Sequence, residues 1–242
     1  MIDVVIPTCL KDLDTLEIVI AHAKRFVKDI GNIYVISDKE YTKNAIHIPE
    51  SLFPFNKEDV YKYIPNFRCS WYYQQLLKLY AHVVITQLSD SFLILDSETI
   101  FYKPVNFVDD EGRGLYCVSD EKSPAYYAHM RRFVPELKSY VNGVHPQYSG
   151  IVHHMLFQRC ILDDLFIRTE KTHNTCFWKA FLNVVEDLIG GASEYEIYFC
   201  FAFAMHPDKV AIRHLNWALS DTVLESSDRD FLTAHAHLRR RF

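Results

Sequence analysis

Ile2-Asp3-Val4-Val5-Ile6-Pro7-Thr8 is the stretch that decides the fold class. It is a β-branched run closed by Pro-Thr, which is how a buried parallel strand reads. Working outward, Leu13, Leu16, Ile20, Ala23 and Val27 repeat at near-helical spacing over residues 12–29, and Gly31 stands where a helix commonly ends. Ile33-Tyr34-Val35-Ile36-Ser37-Asp38 reads as a second strand, giving a βαβ unit with a right-handed crossover. Residues 39–65 are irregular. A helix over 70–86 puts Tyr72, Leu76, Leu79, Tyr80 and Val83 on one face, with Gln75 and Lys78 beside that stripe. Phe92-Leu93-Ile94-Leu95-Asp96 is a third strand and residues 114–120 a fourth. Helices are expected over 126–141, 152–165, 174–189 and 194–205, with a last short strand over 210–214. Strands alternating with helices imply an α/β fold with an open, mostly parallel sheet flanked by helices, whose ligands gather at the carboxyl ends of the strands.

The 242 residues suit one domain spanning 1–242, and no repeat or linker divides them. A net charge of −5 argues against a general nucleic-acid binder. Aromatic residues at 14% suit either a sugar-stacking surface or a large core, and the core is the simpler reading. The six cysteines are scattered without metal-site spacing, as in a reducing, cytoplasmic setting. The first strand follows Met1 directly, so no signal peptide is expected, and no run approaches the roughly 20 apolar residues of an integral membrane segment. Arg239-Arg240-Arg241 reads as a frayed end or a junction.

Asp96 closes the third strand and is followed by Ser97 and Glu98. If the strand continues, Asp96 and Glu98 share a face about 6.5–7 Å apart. Two hard oxygen ligands there suit Mg²⁺ or Mn²⁺, with phosphate oxygens completing the shell. The alternative is a pair of solvated turn residues.

Residues 3–8 resemble the opening strand of GT-A-fold glycosyltransferases, and residues 92–99 with Lys103-Pro104-Val105 resemble their D-x-D strand. Residues 71–79, 149–157 and 193–198 are similar to segments of a poorly characterised bacterial and viral glycosyltransferase-like family. The resemblance covers nearly the whole chain. It implies a nucleotide-sugar-binding half over 1–120 and an acceptor-side half over 121–242. It implies a metal-dependent transfer of sugar from a nucleotide-diphosphate donor to the hydroxyl of a glycan or other acceptor. Glu98 departs from the family's second Asp, which leaves Asp96 as the firmer ligand. A late histidine in that family returns to the metal, and His214 holds the matching position here.

The resemblance implies that the loop after the first strand, with Pro7 and Thr8, holds the nucleoside. The remaining candidates are argued from residue chemistry. Asp38 closes the second strand, where an acid could accept from ribose hydroxyls or the base, and it is equally a turn residue. Lys78 and the second cation Arg68 suit a diphosphate, and Gln75 and Ser97 could bond sugar or phosphate. Glu194, Glu196 and Asp120 are candidate bases for the acceptor hydroxyl. Ser193 and Glu196 also match a helix capping box, which favours Glu194 as the base. His153 and His154 diverge by about 100° if helical, so one lines the acceptor side and the other packs. A nucleotidyltransferase acting on sugar phosphates, or an inactive nucleotide- or sugar-binding module, are the alternatives.

Overall fold

The computed structural model describes residues 1–142 and 148–235, so the Arg239–Arg241 run lies outside it. The expected βαβ unit forms from β1 (Ile2–Pro7), α1 (Leu13–Phe26) and β2 (Ile30–Ser37). Every residue of β1 is buried, because both faces of this central strand are covered. Val4 and Ile6 meet Leu16, Val19, Ile20 and Ala23 of α1 on one face. Val5, on the other, joins the cluster around α3 (Cys69–Val84), which contributes Leu76, Leu79 and Tyr80. That split is the period-two alternation of a strand.

The main sheet runs in the order β3-β2-β1-β4-β7, with β3 spanning Ile46–Pro49, β4 Ser91–Leu95 and β7 His154–Gln158. The β1–β2, β2–β3 and β1–β4 pairs are parallel, and β7 runs antiparallel to β4. The chain moves outward from β1 through β2 to β3. It then passes through α2 (Lys57–Tyr61) and α3 and re-enters the sheet as β4, on the opposite side of β1. The strand order therefore reverses between β1 and β4, and in open α/β sheets the ligand crevice lies at such a reversal, outside the strands' carboxyl ends.

Two smaller sheets flank this core. One holds β5 (Thr99–Phe101), β10 (Phe231–Thr233) and β9 (Trp217–Leu219). The other pairs β6 (Gly114–Cys117) with β8 (Val210–Arg213). The second half is otherwise helical: α4 (Pro124–Phe133), α5 (Lys138–Asn142), α6 (Arg159–His173), α7 (Phe177–Asn183) and α8 (Glu194–Met205).

Several elements differ from the reading of the sequence. Residues 154–158 form a strand, and helix begins only at Arg159; five apolar or amphipathic residues have no period long enough to distinguish the two. Residues 39–65 contain β3 and α2, the latter closed by a complete Asn56–Asp59 capping box. Gly31 does not end α1: it lies inside β2, where a Cβ would overlap the Asp3 carboxylate. The turn after α1 uses Asp29 at φ 54° instead. Val83, placed on the apolar face of α3, is 50% exposed. Among the described residues all six cysteines are free, and no helix is long and apolar enough to cross a membrane.

Candidate functional site

β4 stops at Leu95, so Asp96-Ser97-Glu98 is a turn and not a continuing strand. Thr99 N donates to Asp96 O at 2.9 Å, closing it. Thr15 Oγ1 donates to Ser97 O at 2.7 Å from α1, and Ala234 N donates to Glu98 O at 2.8 Å from beyond β10. The backbone of this acidic turn is thus fixed from three sides. Ser97 itself is buried. Strand alternation does not relate Asp96 to Glu98; the turn does.

Asp96 sits at the β1–β4 reversal and is engaged by three side chains. Lys78 Nζ lies 2.5 Å from its Oδ1, and Tyr195 Oη donates to the same oxygen at 2.9 Å. His153 Nδ1 lies 3.6 Å from Oδ2. Lys78 also reaches Glu194 Oε1 at 2.6 Å and Tyr195 Oη at 3.2 Å. An ammonium has three protons, and three acceptors surround this one. Burial alone would push the Asp96 carboxyl up, but the Lys78 charge and the His153 contact outweigh it and hold the group well below the usual carboxylate range. Burial likewise opposes charge on Lys78, yet Asp96 and Glu194 raise its pKa above the ordinary value. The two directions agree: the pair is ionised.

The helix α3 builds this arrangement with one polar face. Tyr72, Gln75 and Lys78 recur at three-residue spacing, so they stack along it. Tyr72 Oη donates to Asp187 O at 2.8 Å and accepts from Gly191 N at 2.9 Å. Gln75 Oε1 accepts from Glu194 N at 3.0 Å. The three side chains bind the segment that leads into α8. Lys78 and Gln75, read from sequence as donor ligands, are therefore buried partners of α8, and Lys78 keeps no proton for a phosphate. Gln75 Nε2 and Thr8 Oγ1 are buried without a hydrogen-bond partner among the described residues. Pro7 and Thr8 end β1 at the reversal, and Asp38 follows β2, exposed, accepting from Tyr41 Oη at 2.7 Å. Arg68 occupies the N-cap position of α3, donates to Ile189 O at 2.5 Å and stacks over Trp71.

Two histidines meet the acids. His153 has φ 63°, a left-handed conformation that His adopts more readily than most residues. The kink sends His153 into the crevice, while His154, the first residue of β7, packs among Phe101, Phe107 and Phe231. Burial pulls the His154 pKa down to about 3, with the Arg213 charge adding to it. His154 is therefore core and not an acceptor-side residue. His235, from beyond β10, hydrogen-bonds Glu98 through Nδ1 and lies with its ring centroid 4.5 Å from that of His153. Burial disfavours its charged form, but Glu98 outweighs this and raises the pKa. His214, expected at the metal, packs its ring against Tyr148 instead. His235 had no local signal in the sequence: only the β5–β10 pairing brings it to Glu98.

The candidate bases separate clearly. Glu194 is tied to Lys78. Ser193 Oγ accepts from Glu196 N at 3.3 Å, which is half of the expected capping box. The other half is missing, because the Glu196 carboxylate accepts from Ser149 Oγ at 2.6 Å and Gly150 N at 3.0 Å. Burial pushes its pKa up to about 7 against those two bonds. Asp120 is exposed on the loop after β6.

Among the described residues, no three His, Cys, Asp or Glu side chains come together as a metal-holding group. The donor set does not fit an ion caged by protein alone. It fits an ion held by one or two carboxylates and mostly by a ligand's own phosphates, as Mg²⁺ commonly is.

The fold and this site define a doubly wound α/β protein with an ionised acid at its topological switch point. Residues 1–229 match the family of unknown function DUF6492, and the chain belongs to that family. No curated protein matches it. His235 lies past the matched stretch.

Proposed function

We propose that the chain is a glycosyltransferase of GT-A type, taking a sugar from a nucleotide-diphosphate donor to an acceptor hydroxyl. The observation that carries this reading is Asp96, held ionised at the carboxyl end of β4 where the strand order reverses. The unpartnered Thr8 hydroxyl and the Asp38 carboxylate line the neighbouring strand ends, where a ribose would find a donor and an acceptor. Mg²⁺ or Mn²⁺, held by Asp96 and Glu98 together with the donor's phosphates, would supply the charge that the leaving diphosphate needs. His153 and Tyr195 orient Asp96, and His235 orients Glu98. Of the three carboxylates considered as base, Glu194 is the one bound into this network.

One observation favours a second reading, a binding module without turnover: Asp96 and Glu98 already have partners within the protein, Lys78 and His235. Thermal-shift measurements with UDP, GDP and dTDP, each with and without Mn²⁺, test both. A shift that Asp96→Asn removes supports a nucleotide site, and the absence of any shift sinks it. Slow hydrolysis of a nucleotide sugar, lost in Asp96→Asn, selects the transferase over the module.

A further inference from the structure

Lys78 is 3% exposed and holds two carboxylates from distant parts of the chain, at 2.5 Å from Asp96 Oδ1 and 2.6 Å from Glu194 Oε1. Bridging two acids from separate elements is what a divalent ion does with oxygen ligands. We propose that Lys78 is a tethered cation standing where such an ion would bridge Asp96 and Glu194, so that this pair is complete without metal. Any ion that enters with a ligand then binds outside the gap that Lys78 fills, on the Glu98 side of Asp96.

The surroundings fit an ammonium in particular. Its three protons meet three acceptors, the third being Tyr195 Oη at 3.2 Å. The Tyr195 ring lies 4.3 Å from Nζ, adding a cation–π contact that favours a monovalent charge on a long stem. Gln75 fixes the Glu194 backbone at 3.0 Å, so the second acid cannot drift from the first. A divalent ion brought into the gap beside this ammonium would face a like charge at low dielectric, and the oxygens that face the gap, Asp96 Oδ1 and Glu194 Oε1, are already taken by Lys78. The clamp also joins α3 to the start of α8, which makes it a structural staple of the crevice wall. The inference bears on the same crevice as the donor reading, but its test uses neither nucleotide nor turnover.

Lys78→Ala takes the shared ammonium from both acids and opens room for an ion between them. Its melting temperature should fall by about 6–20 °C, as expected when one partner of a buried ion pair is removed from a chain of this size. Millimolar Mn²⁺ should then raise the melting temperature of Lys78→Ala by several degrees more than that of the wild type. The extra rise should vanish in Lys78→Ala/Asp96→Asn. An equal or smaller response in Lys78→Ala, or a rise that survives Asp96→Asn, overturns the proposal. Should Lys78→Ala not fold, Lys78→Met/Asp96→Asn/Glu194→Gln decides. Removing all three charges should restore melting to within a few degrees of wild type, and a triple variant that stays unfolded overturns the proposal.

Discussion

Glu196 is the residue whose replacement tests the electrostatics most directly. It is 1% exposed and has Ser149 Oγ and Gly150 N as donors, and burial places its pKa at about 7 against an ordinary 4.5. Below pH 4.5 the group is protonated in both folded and unfolded chains and costs nothing. Between 4.5 and 7 the unfolded chain releases the proton while the folded one keeps it, so the folded state binds more protons and stability falls as pH rises. At about 1.4 kcal/mol per pH unit, the loss reaches about 3 kcal/mol by pH 8. For a chain of this length that corresponds to about 6–12 °C in melting temperature.

Gln copies the protonated form: its carbonyl oxygen accepts the same two hydrogen bonds, and its amide does not titrate. Glu196→Gln should match the wild type near pH 4.5 and exceed its melting temperature increasingly up to pH 8. The assay is the difference between the two melting curves across that range, which cancels groups common to both. Parallel profiles, or a Gln variant less stable at pH 8, would refute the reasoning. The same result assigns a role. A buried carboxyl bonded to Ser149 Oγ and Gly150 N holds the segment leading to His153.

Gly31→Ala should cost about 2–3 kcal/mol in urea unfolding, because the added Cβ would overlap the Asp3 carboxylate. That carboxylate holds Asn32 N at 2.7 Å and Ser89 N at 2.8 Å, tying β1 to β2 and to the loop that leads into β4, so an unchanged midpoint would contradict the packing. Thr15→Val keeps the shape of a fully buried side chain but removes the donor to Ser97 O. It should cost about 1–3 kcal/mol and weaken any nucleotide-induced shift, since the acidic turn loses its support from α1; full stability would show that the turn stands without it. Leu76→Ala, at 0% exposure under the sheet, should cost about 2–5 kcal/mol by the same unfolding measurement.

Much of this was legible because its determinants are local. The β1 run, the spacing of α1 and the apolar approach to Asp96 each carry their period within one segment, and the open, mostly parallel sheet flanked by helices followed from alternating strands and helices. The signals failed where neighbours distant in sequence decide. His154–Gln158 is a strand because β4 offers it an antiparallel edge, with Leu95 opposite His154; nothing within five residues says so. Lys78 and Gln75 were assigned correctly to α3, but their partners are Glu194 and its backbone, more than a hundred residues away. Histidine identity suffered most. A histidine near the last strand was expected at the acids, and the chain runs past His214 through β9 and β10 before delivering His235.

The charges collected at the crevice limit what it can receive. Asp96, Glu98 and Glu194 contribute three carboxylates, against the Lys78 ammonium and a His235 imidazole whose pKa Glu98 raises. A bare diphosphate approaching this wall meets no uncommitted cation in the Lys78 cluster and at least as much negative charge as positive. Coulomb repulsion at reduced dielectric then opposes it. An ion carried on the phosphates reverses the sign of the encounter, and the Glu98 side of the turn is the face left for it once Lys78 fills the gap between Asp96 and Glu194. The charge count therefore predicts that a nucleoside diphosphate shifts the protein's melting only when a divalent ion is present, while the ion alone shifts it little. A nucleotide that binds as tightly in EDTA would mean that the crevice draws on cations other than these, and the assignment of Asp96 as its centre would fall with it.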